Sequence, residues 1–346
     1  MYRKKVFLAI ALLGLIVCGF MAYKIYAAIF NPNTNFNNDE ALIFIPSNAT
    51  IDTVANRLQP LLKDISSFVS VAERKGYTNN IKGGKYAIRK GMNNNEIVNA
   101  LRSRNLPVRI SFNNQETVAD LAGRISAQIE ADSISLYKSF NTPEFLSANG
   151  FDDETKLAMY LPNTYEFFWN TSADEFRERM LAEYKRFWNT ERIKKAAEHS
   201  LNPQQVMTLA SIVQKETAKI DERPRVAGVY LNRLKRGMLL QADPTVIYAI
   251  KKRTGNFDTI IKRVLYRDLE TDSPYNTYKY VGLPPGPIAM PDISSIEAVL
   301  NPERHDYLYF VADVSNFGYH MFAKNLVQHN RNKNQYIRWI NSQKNR

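Results

Sequence analysis

The first hydrophobic block of the chain is unbroken. Residues 6–23, VFLAIALLGLIVCGFMAY, carry no charge, and a further apolar run over 25–30 follows Lys24. Together they are long enough to cross a bilayer with some tilt. Arg3, Lys4 and Lys5 precede the block, so the positive-inside rule puts the N-terminus in the cytoplasm and the rest of the chain outside. A cleaved signal peptide is the competing reading. The block is long for one and no clear small-x-small site follows it, which favours an uncleaved anchor over residues 1–30.

Beyond the anchor the pattern changes. Residues 31–40, NPNTNFNNDE, are polar and turn-prone and read as a linker. A short apolar run over 41–45 predicts a strand ending at Pro46, and Thr50 suits the cap of a helix through Leu58. A second helical pattern covers 66–75. Gly83 and Gly84 precede a second short strand over 85–88, and Asn94 or Asn95 suits the cap of a helix through Leu101. Strand, two helices, strand and helix make one small unit over 41–105. Residues 108–112 read as a strand. Thr117 with Asp120 resembles a capping pair, Thr142-Pro143-Glu144 opens another helix, and Gly150 is placed to end it. After a proline-containing aromatic segment at 161–169, apolar Phe176, Met180, Tyr184 and Phe187 mark an amphipathic helix over 173–188.

Residues 209–250 read as two helices joined by a charged turn, then a loop, then a third helix opening at Pro244. Asn202 suits the N-cap of the first and Pro203 its first position. Val206, Leu209, Ala210, Val213 and Thr217 then share one face, with Glu216 on its flank. The whole pattern predicts an α+β protein: a transmembrane helix, the small unit, and a mixed α/β domain over 106–346 that carries Glu216 near a helix end.

Composition narrows the class. Of 346 residues 45% are hydrophobic, which supports packed domains rather than disorder. The formal net charge of +12 falls to +8 once Arg3, Lys4, Lys5 and Lys24 are set aside. Such a balance suits an anionic membrane surface or nucleic acid. No zinc-finger spacing, glycine-rich phosphate loop or arginine-rich arm supports the second, so no nucleic-acid partner is expected. Cys18, the one cysteine, lies in the anchor block, so the outer part can form no disulfide.

Glu216 is the candidate reacting group. A carboxyl at the edge of an apolar face and near a helix C-terminus is favoured in its protonated form. Lys215 and Lys219 oppose this if they approach. An ordinary solvated glutamate is the alternative.

Longer motifs bear on that choice. A-S-I-V-x-K-E-T at 210–217, E-R-x-x-V-A-x-V-Y-x-N-R-L at 222–234 and G-M-x-L-Q-x-D-P-T-V-I-Y at 237–248 stand in order. Y-N-T-Y at 275–278, G-L-P-P-G-P-I at 282–288 and Y-L-Y-F-V-A-D at 307–313 follow, then His320, Phe322, Asn325 and His329. This series resembles the YceG-like endolytic murein transglycosylases (the MltG family).

The resemblance implies a lytic cut of peptidoglycan glycan strands at the MurNAc–GlcNAc bond, leaving 1,6-anhydro ends. It assigns proton donor and base to Glu216, with no cofactor and no metal. Position 214 is Gln where related sequences often carry a second Glu, which leaves Glu216 alone. Gln241 and Asp243 line the cleft in this reading, though Asp243 equally suits a helix cap. Tyr275 and Asn276 orient substrate, against a turn role for Asn276. Tyr165 or Trp169 would stack on sugar if exposed; core burial is the alternative. His320 and His329 have no recognised metal spacing and read as structural or rim residues, and Arg223 and Arg233 as ion-pair braces. The unit at 41–105 resembles a LysM-like glycan holder, with a plain spacer as the alternative. The implied setting is the bacterial inner membrane, single-pass, with the enzyme outside beside wall-synthesis polymerases or the division and elongation machinery. A hydrolytic muramidase using Asp243 and a non-catalytic glycan-binding scaffold are the rival functions.

Overall fold

A computed structural model describes residues 2–344. Helix α1 (Tyr2–Phe30) has no buried residue and is long and apolar enough to cross a membrane. The chain then forms two compact units, the first over residues 1–110 with 128–131 and 165–172, the second from the remainder.

In the first unit β1 (Glu40–Ile45), α2 (Ile51–Leu58), α3 (Ile65–Arg74), β2 (Gly84–Arg89) and α4 (Asn94–Ser103) follow in order. Strands β1 and β2 pair antiparallel, from Glu40 opposite Arg89 to Ile45 opposite Gly84. Alternation turns Ile43 and Ile45 inward onto Val54, Leu58, Phe68, Ile88, Ile97 and Leu101. Leu42 stays outside, and Phe44 meets the half-buried Trp169 at 5.2 Å between ring centres. Thr50 caps α2 as its sequence suggests.

Two expectations here need correction, and one side-chain cluster explains both. Helix α4 is capped by Asn93 in a capping box with Glu96, not by Asn94 or Asn95. Asn94 is instead drawn inside, where its amide donates to the Ala28 carbonyl and the Ser67 hydroxyl. Asn33 lies beside it. Its amide donates to Asn94 Oδ1 (2.7 Å) and to the Asp64 carbonyl (2.8 Å), and its Oδ1 accepts from the Asp64 N–H (2.9 Å). Residues 31–39 are therefore not a free linker: Asn33 and Thr34 are buried and bridge to the segments around Met92 and Leu62. A buried amide with its donors and acceptor satisfied stabilises, and leaving its partners unpaired costs about 1–3 kcal/mol. Asn33→Ala should lower unfolding free energy by that amount, while Asn38→Ala, at an exposed position, should change it by less than about 0.5 kcal/mol in the same denaturant titration.

Strands β3 (Pro107–Phe112) and β4 (Asn163–Phe168) form a second two-stranded sheet. Between them come α5 (Val118–Ser126), opened by the Thr117–Asp120 capping box, then α6 (Ser133–Phe140) and α7 (Pro143–Ala148). Gly150 follows α7 with φ +76, the left-handed conformation expected of a residue that stops a helix. Helices α8 (Ala173–Phe187) and α9 (Thr190–Glu198) lead to the central group.

That group is α10 (Pro203–Glu216), α11 (Arg223–Lys235), α12 (Asp243–Thr254) and α13 (Ile293–Leu300). Asn202 caps α10 in a box with Gln205, and Pro203 takes the first turn. Val206, Leu209, Ala210 and Val213 are fully buried, with Val226, Val229, Ile296 and Val299 among the buried residues of the helices α10 packs on. Thr217 is extended, so α10 ends at Glu216. A hairpin of β5 (Tyr309–Ala312) and β6 (His320–Ala323) and the long α14 (Leu326–Lys344) complete the unit.

The segment 286–292 laces α10 to its surroundings. Ser211 Oγ accepts the Ile288 N–H (3.0 Å). Gln214 accepts the Asp292 N–H and donates to the Met290 carbonyl. Arg223 pairs with Asp292 (2.9 Å) and donates to Ser294 Oγ (2.6 Å). The ion-pair brace expected of Arg223 thus runs from α11 to the start of α13.

Candidate active site

Glu216 is the last residue of α10, and Tyr230 faces it from α11. The tyrosine hydroxyl donates to Glu216 Oε1 at 2.6 Å. Tyr230 is itself buried, with the Phe310 ring edge-on at 5.9 Å. Burial of the carboxyl pushes Glu216 up to about 7. The Tyr230 hydrogen bond opposes this by favouring the charged form, Asp243 adds a negative neighbour that raises it, and His320 and Arg233 pull it down. The residue as a whole is half-buried, and its carboxyl lies deep among protein atoms.

The two lysines beside Glu216 are engaged elsewhere. Lys215 pairs with Glu116 at 2.6 Å, and Lys219 lies over the Tyr319 ring at 4.8 Å. Desolvation therefore wins over local cation stabilisation, and the solvated-glutamate alternative does not describe this residue.

Arg233 does not form the ion pair expected of it. It is buried and donates to the carbonyls of Leu308 (2.6 Å) and Leu240 (2.7 Å), with Tyr309 beneath its guanidinium at 5.2 Å. It ties α11 to the 239–240 loop and β5 and leaves its charge near Glu216.

Asp243 opens α12 but does not cap it. The cap position is Ala242, with no side-chain bond, and the exposed Asp243 carboxylate accepts the Tyr278 hydroxyl at 2.6 Å. Gln241 is exposed at φ +51, a left-handed conformation held by its N–H on the Thr277 carbonyl. Tyr275 and Asn276 are both buried. Tyr275 donates to Glu154 Oε2 (2.7 Å). Asn276 donates to the carbonyls of Leu269 and Thr271 and accepts the Tyr278 N–H. The turn reading of Asn276 is what the geometry gives, and direct substrate contact by this side chain is not. Thr277 accepts from the Ala242 N–H (3.0 Å), so the Y-N-T-Y segment fixes the start of α12 and aims Tyr278 at Asp243.

His320 stands on β6, its Nδ1 on Glu222 Oε2 (2.8 Å) and its backbone N–H on Glu222 Oε1 (2.7 Å). Burial alone would raise Glu222, yet these bonds hold it below its ordinary value. His329 stacks on Tyr309 at 5.2 Å, and burial lowers its pKa. The site thus gathers Glu216, Tyr230, Arg233, Asp243, Tyr278 and His320. Tyr230, Tyr278 and the siting of Arg233 escaped the sequence reading, because no periodicity links them to Glu216, whereas His320 takes the rim position that was one of its two readings.

One enclosed carboxyl that burial raises toward neutrality, beside a tyrosine hydroxyl, makes this cluster the candidate site for proton transfer. The YceG-like family model matches residues 43–335, and the chain belongs to that family. It is 33% identical over 316 residues to the endolytic murein transglycosylase of Bacillus subtilis, covering 85% of this chain and 84% of that protein. A protein of the same name from Streptococcus pneumoniae is 28% identical over 96% of this chain, which spans 64% of that longer relative. The crystal structure of a yceG-like protein from Listeria monocytogenes aligns with TM-score 0.55 and 30% identity, over 85% of this chain and 99% of that one.

Proposed function

We propose that this protein is an endolytic murein transglycosylase, anchored by α1 with its second unit outside the cytoplasmic membrane, and that Glu216 is its acid and base. The observation that carries this is the buried Glu216 carboxyl at the end of α10, hydrogen-bonded by the Tyr230 hydroxyl and raised to about 7. In the forward step the protonated carboxyl gives its proton to the glycosidic oxygen as the C1–O bond breaks. The carboxylate then takes the proton of the sugar's C6 hydroxyl, whose oxygen closes onto C1. The proton count balances, no water is consumed, and the product is a 1,6-anhydro-N-acetylmuramyl end. Proton transfer of this kind needs a group whose pKa lies near the working pH.

The remaining roles follow position. Exposed Gln241 and Asp243 bind the strand at the mouth of the site. Tyr275 and Asn276 act from beneath as positioning residues for the loop that carries Tyr278. The unit at 41–105 holds glycan in a LysM-like manner. Newly made strands near the polymerases and the division or elongation machinery are the natural substrate of an enzyme held at the membrane. A hydrolytic muramidase is the second reading, favoured by the solvent-exposed carboxylate of Asp243 within the same cluster.

Mass spectrometry of the ends released from uncrosslinked glycan strands separates these. The expected product is one water lighter than a reducing end. Reducing ends would make the protein a hydrolase, and no ends at all would overturn both enzyme readings. Tyr230→Phe supplies a second check. It removes a hydrogen bond to the carboxylate, so the Glu216 pKa rises further. Activity that requires the protonated acid falls as pH climbs through that pKa, so the alkaline limb of the pH–rate profile should move up by roughly one unit. An unmoved limb would detach Glu216 from the pH dependence.

A further inference from the structure

The C-terminal end of α1 is fixed to the first unit. The Asn94 amide donates to the Ala28 carbonyl at 2.8 Å, and the Asn31 N–H reaches the Ala27 carbonyl at 3.0 Å. Ile29 packs against the core of that unit. Between this end of α1 and α3 lies a cleft of about 530 Å3, with Tyr23, Lys24 and Ala28 on one wall and Ser66, Ser70 and Arg74 on the other.

The depth of the cleft follows from α1. Residues 6–23 carry no charge. At 1.5 Å per residue they span about 27 Å, close to the roughly 30 Å hydrocarbon core of a bilayer. With Arg3, Lys4 and Lys5 at the inner boundary, Lys24 falls at the outer one, and Tyr23 and Tyr26 take the interfacial level where such rings collect. The cleft then opens among the outer headgroups.

Its charge is positive. Lys24 rests over the Phe20 ring, and neither Lys24 nor Arg74 has a carboxylate partner among the described residues. The acid on the lining, Asp64, is turned to the start of α3, where it accepts the N–H groups of Ser66 and Ser67 and the Ser66 hydroxyl. Residues 31–110 carry eleven Lys and Arg against six Asp and Glu, so the segment as a whole has the same sign.

We propose that this cleft binds the phosphate-bearing headgroup of an anionic lipid in the outer leaflet, with Lys24 and Arg74 as its cationic contacts. The inference rests on α1 spanning the membrane and not on the reaction at Glu216. Two sources share the chemistry: an anionic phospholipid, and the diphosphate of a polyprenyl carrier that holds a growing glycan strand.

The test uses the full chain in nanodiscs of phosphatidylcholine with a minor share of phosphatidylglycerol. Native mass spectrometry then counts the lipids that stay bound on release. Wild type should retain one phosphatidylglycerol over phosphatidylcholine by about thirtyfold, the scale expected of two interfacial cations. A Lys24→Gln/Arg74→Gln double variant should lose that preference, while Arg57→Gln, at an exposed position elsewhere in the unit, should keep it. Added polyprenyl diphosphate that displaces the phospholipid at equimolar amounts would name the carrier as occupant; no displacement would name the phospholipid. Equal retention by wild type and the double variant would overturn the site. Failure of the wild-type chain to enter nanodiscs would overturn the anchor and the site together, without touching the reading of Glu216.

Discussion

Glu216→Gln should abolish formation of anhydro ends while making the protein more stable at alkaline pH. The rate loss follows from giving both proton transfers to one group: removing a positioned acid or base costs about 100- to 10,000-fold, and here both vanish together. The fold should survive, because the glutamine carbonyl has the volume and the acceptor to keep the Tyr230 hydroxyl satisfied. The stability gain follows from linkage. The folded protein holds the Glu216 proton with a pKa of about 7, against 4.5 for an ordinary glutamate. The protonated carboxyl is thus favoured in the fold, and its contribution is fully present below pH 4.5 and is lost as pH rises through 7. Glutamine never ionises. At pH 8 the variant should unfold with a free energy higher by roughly 1–3 kcal/mol, the lower end reflecting residual solvent contact. Below pH 4.5 the difference should vanish. Denaturant titrations at the two pH values measure it. A variant that loses activity and stability alike at pH 8 would point to a structural glutamate.

Gly286→Ala should be the most damaging small substitution outside the site itself. A methyl group built at Gly286 would lie 1.9 Å from the Glu154 carbonyl oxygen and 3.3 Å from the Tyr275 hydroxyl. The nearest obstacle is backbone, which cannot rotate away, so either the 282–288 loop or the Glu154 segment must move. Overpacking of this kind costs about 1–3 kcal/mol and occasionally more. The displacement would reach the site, because the same loop continues into Ile288, Met290 and Asp292, which bond Ser211 and Gln214 of α10. The expected result is a lower melting temperature together with lower kcat. Gly237→Ala makes the contrast: that glycine meets nothing within 4 Å, and its φ of +64 makes the cost one of backbone conformation alone. A Gly286→Ala protein that melts and turns over like wild type would show that the loop does not hold α10 in place.

What the sequence disclosed tracks how local each cause is. The start of α10 was legible because Asn202 and Pro203 act within one turn, and Thr117 with Asp120 likewise for α5. The asparagine-rich stretch at 31–40 misled, because its composition suits a solvated turn equally well. Only Asn94 and Asp64, distant in sequence, make Asn33 a buried hub, and drawing Asn94 inward is what shifts the α4 cap to Asn93. At the site, Glu216 was found from its motif and helix-end position. Its hydroxyl partner was not, since Tyr230 lies fourteen residues on and meets it only through the packing of α10 on α11. The Gln at 214 also gains a reason beyond the absence of a second carboxylate. It both accepts from Asp292 and donates to Met290, and a glutamate would lose the donor.

The central claim is that burial keeps the Glu216 carboxyl protonated up to neutral pH. The carboxyl resonance of Glu216, identified in a 13C-glutamate-labelled protein as the signal missing from Glu216→Gln, can be followed across a pH titration. The expected midpoint is near 7. A midpoint at the ordinary glutamate value of 4.5 would contradict it and leave the site without its acid.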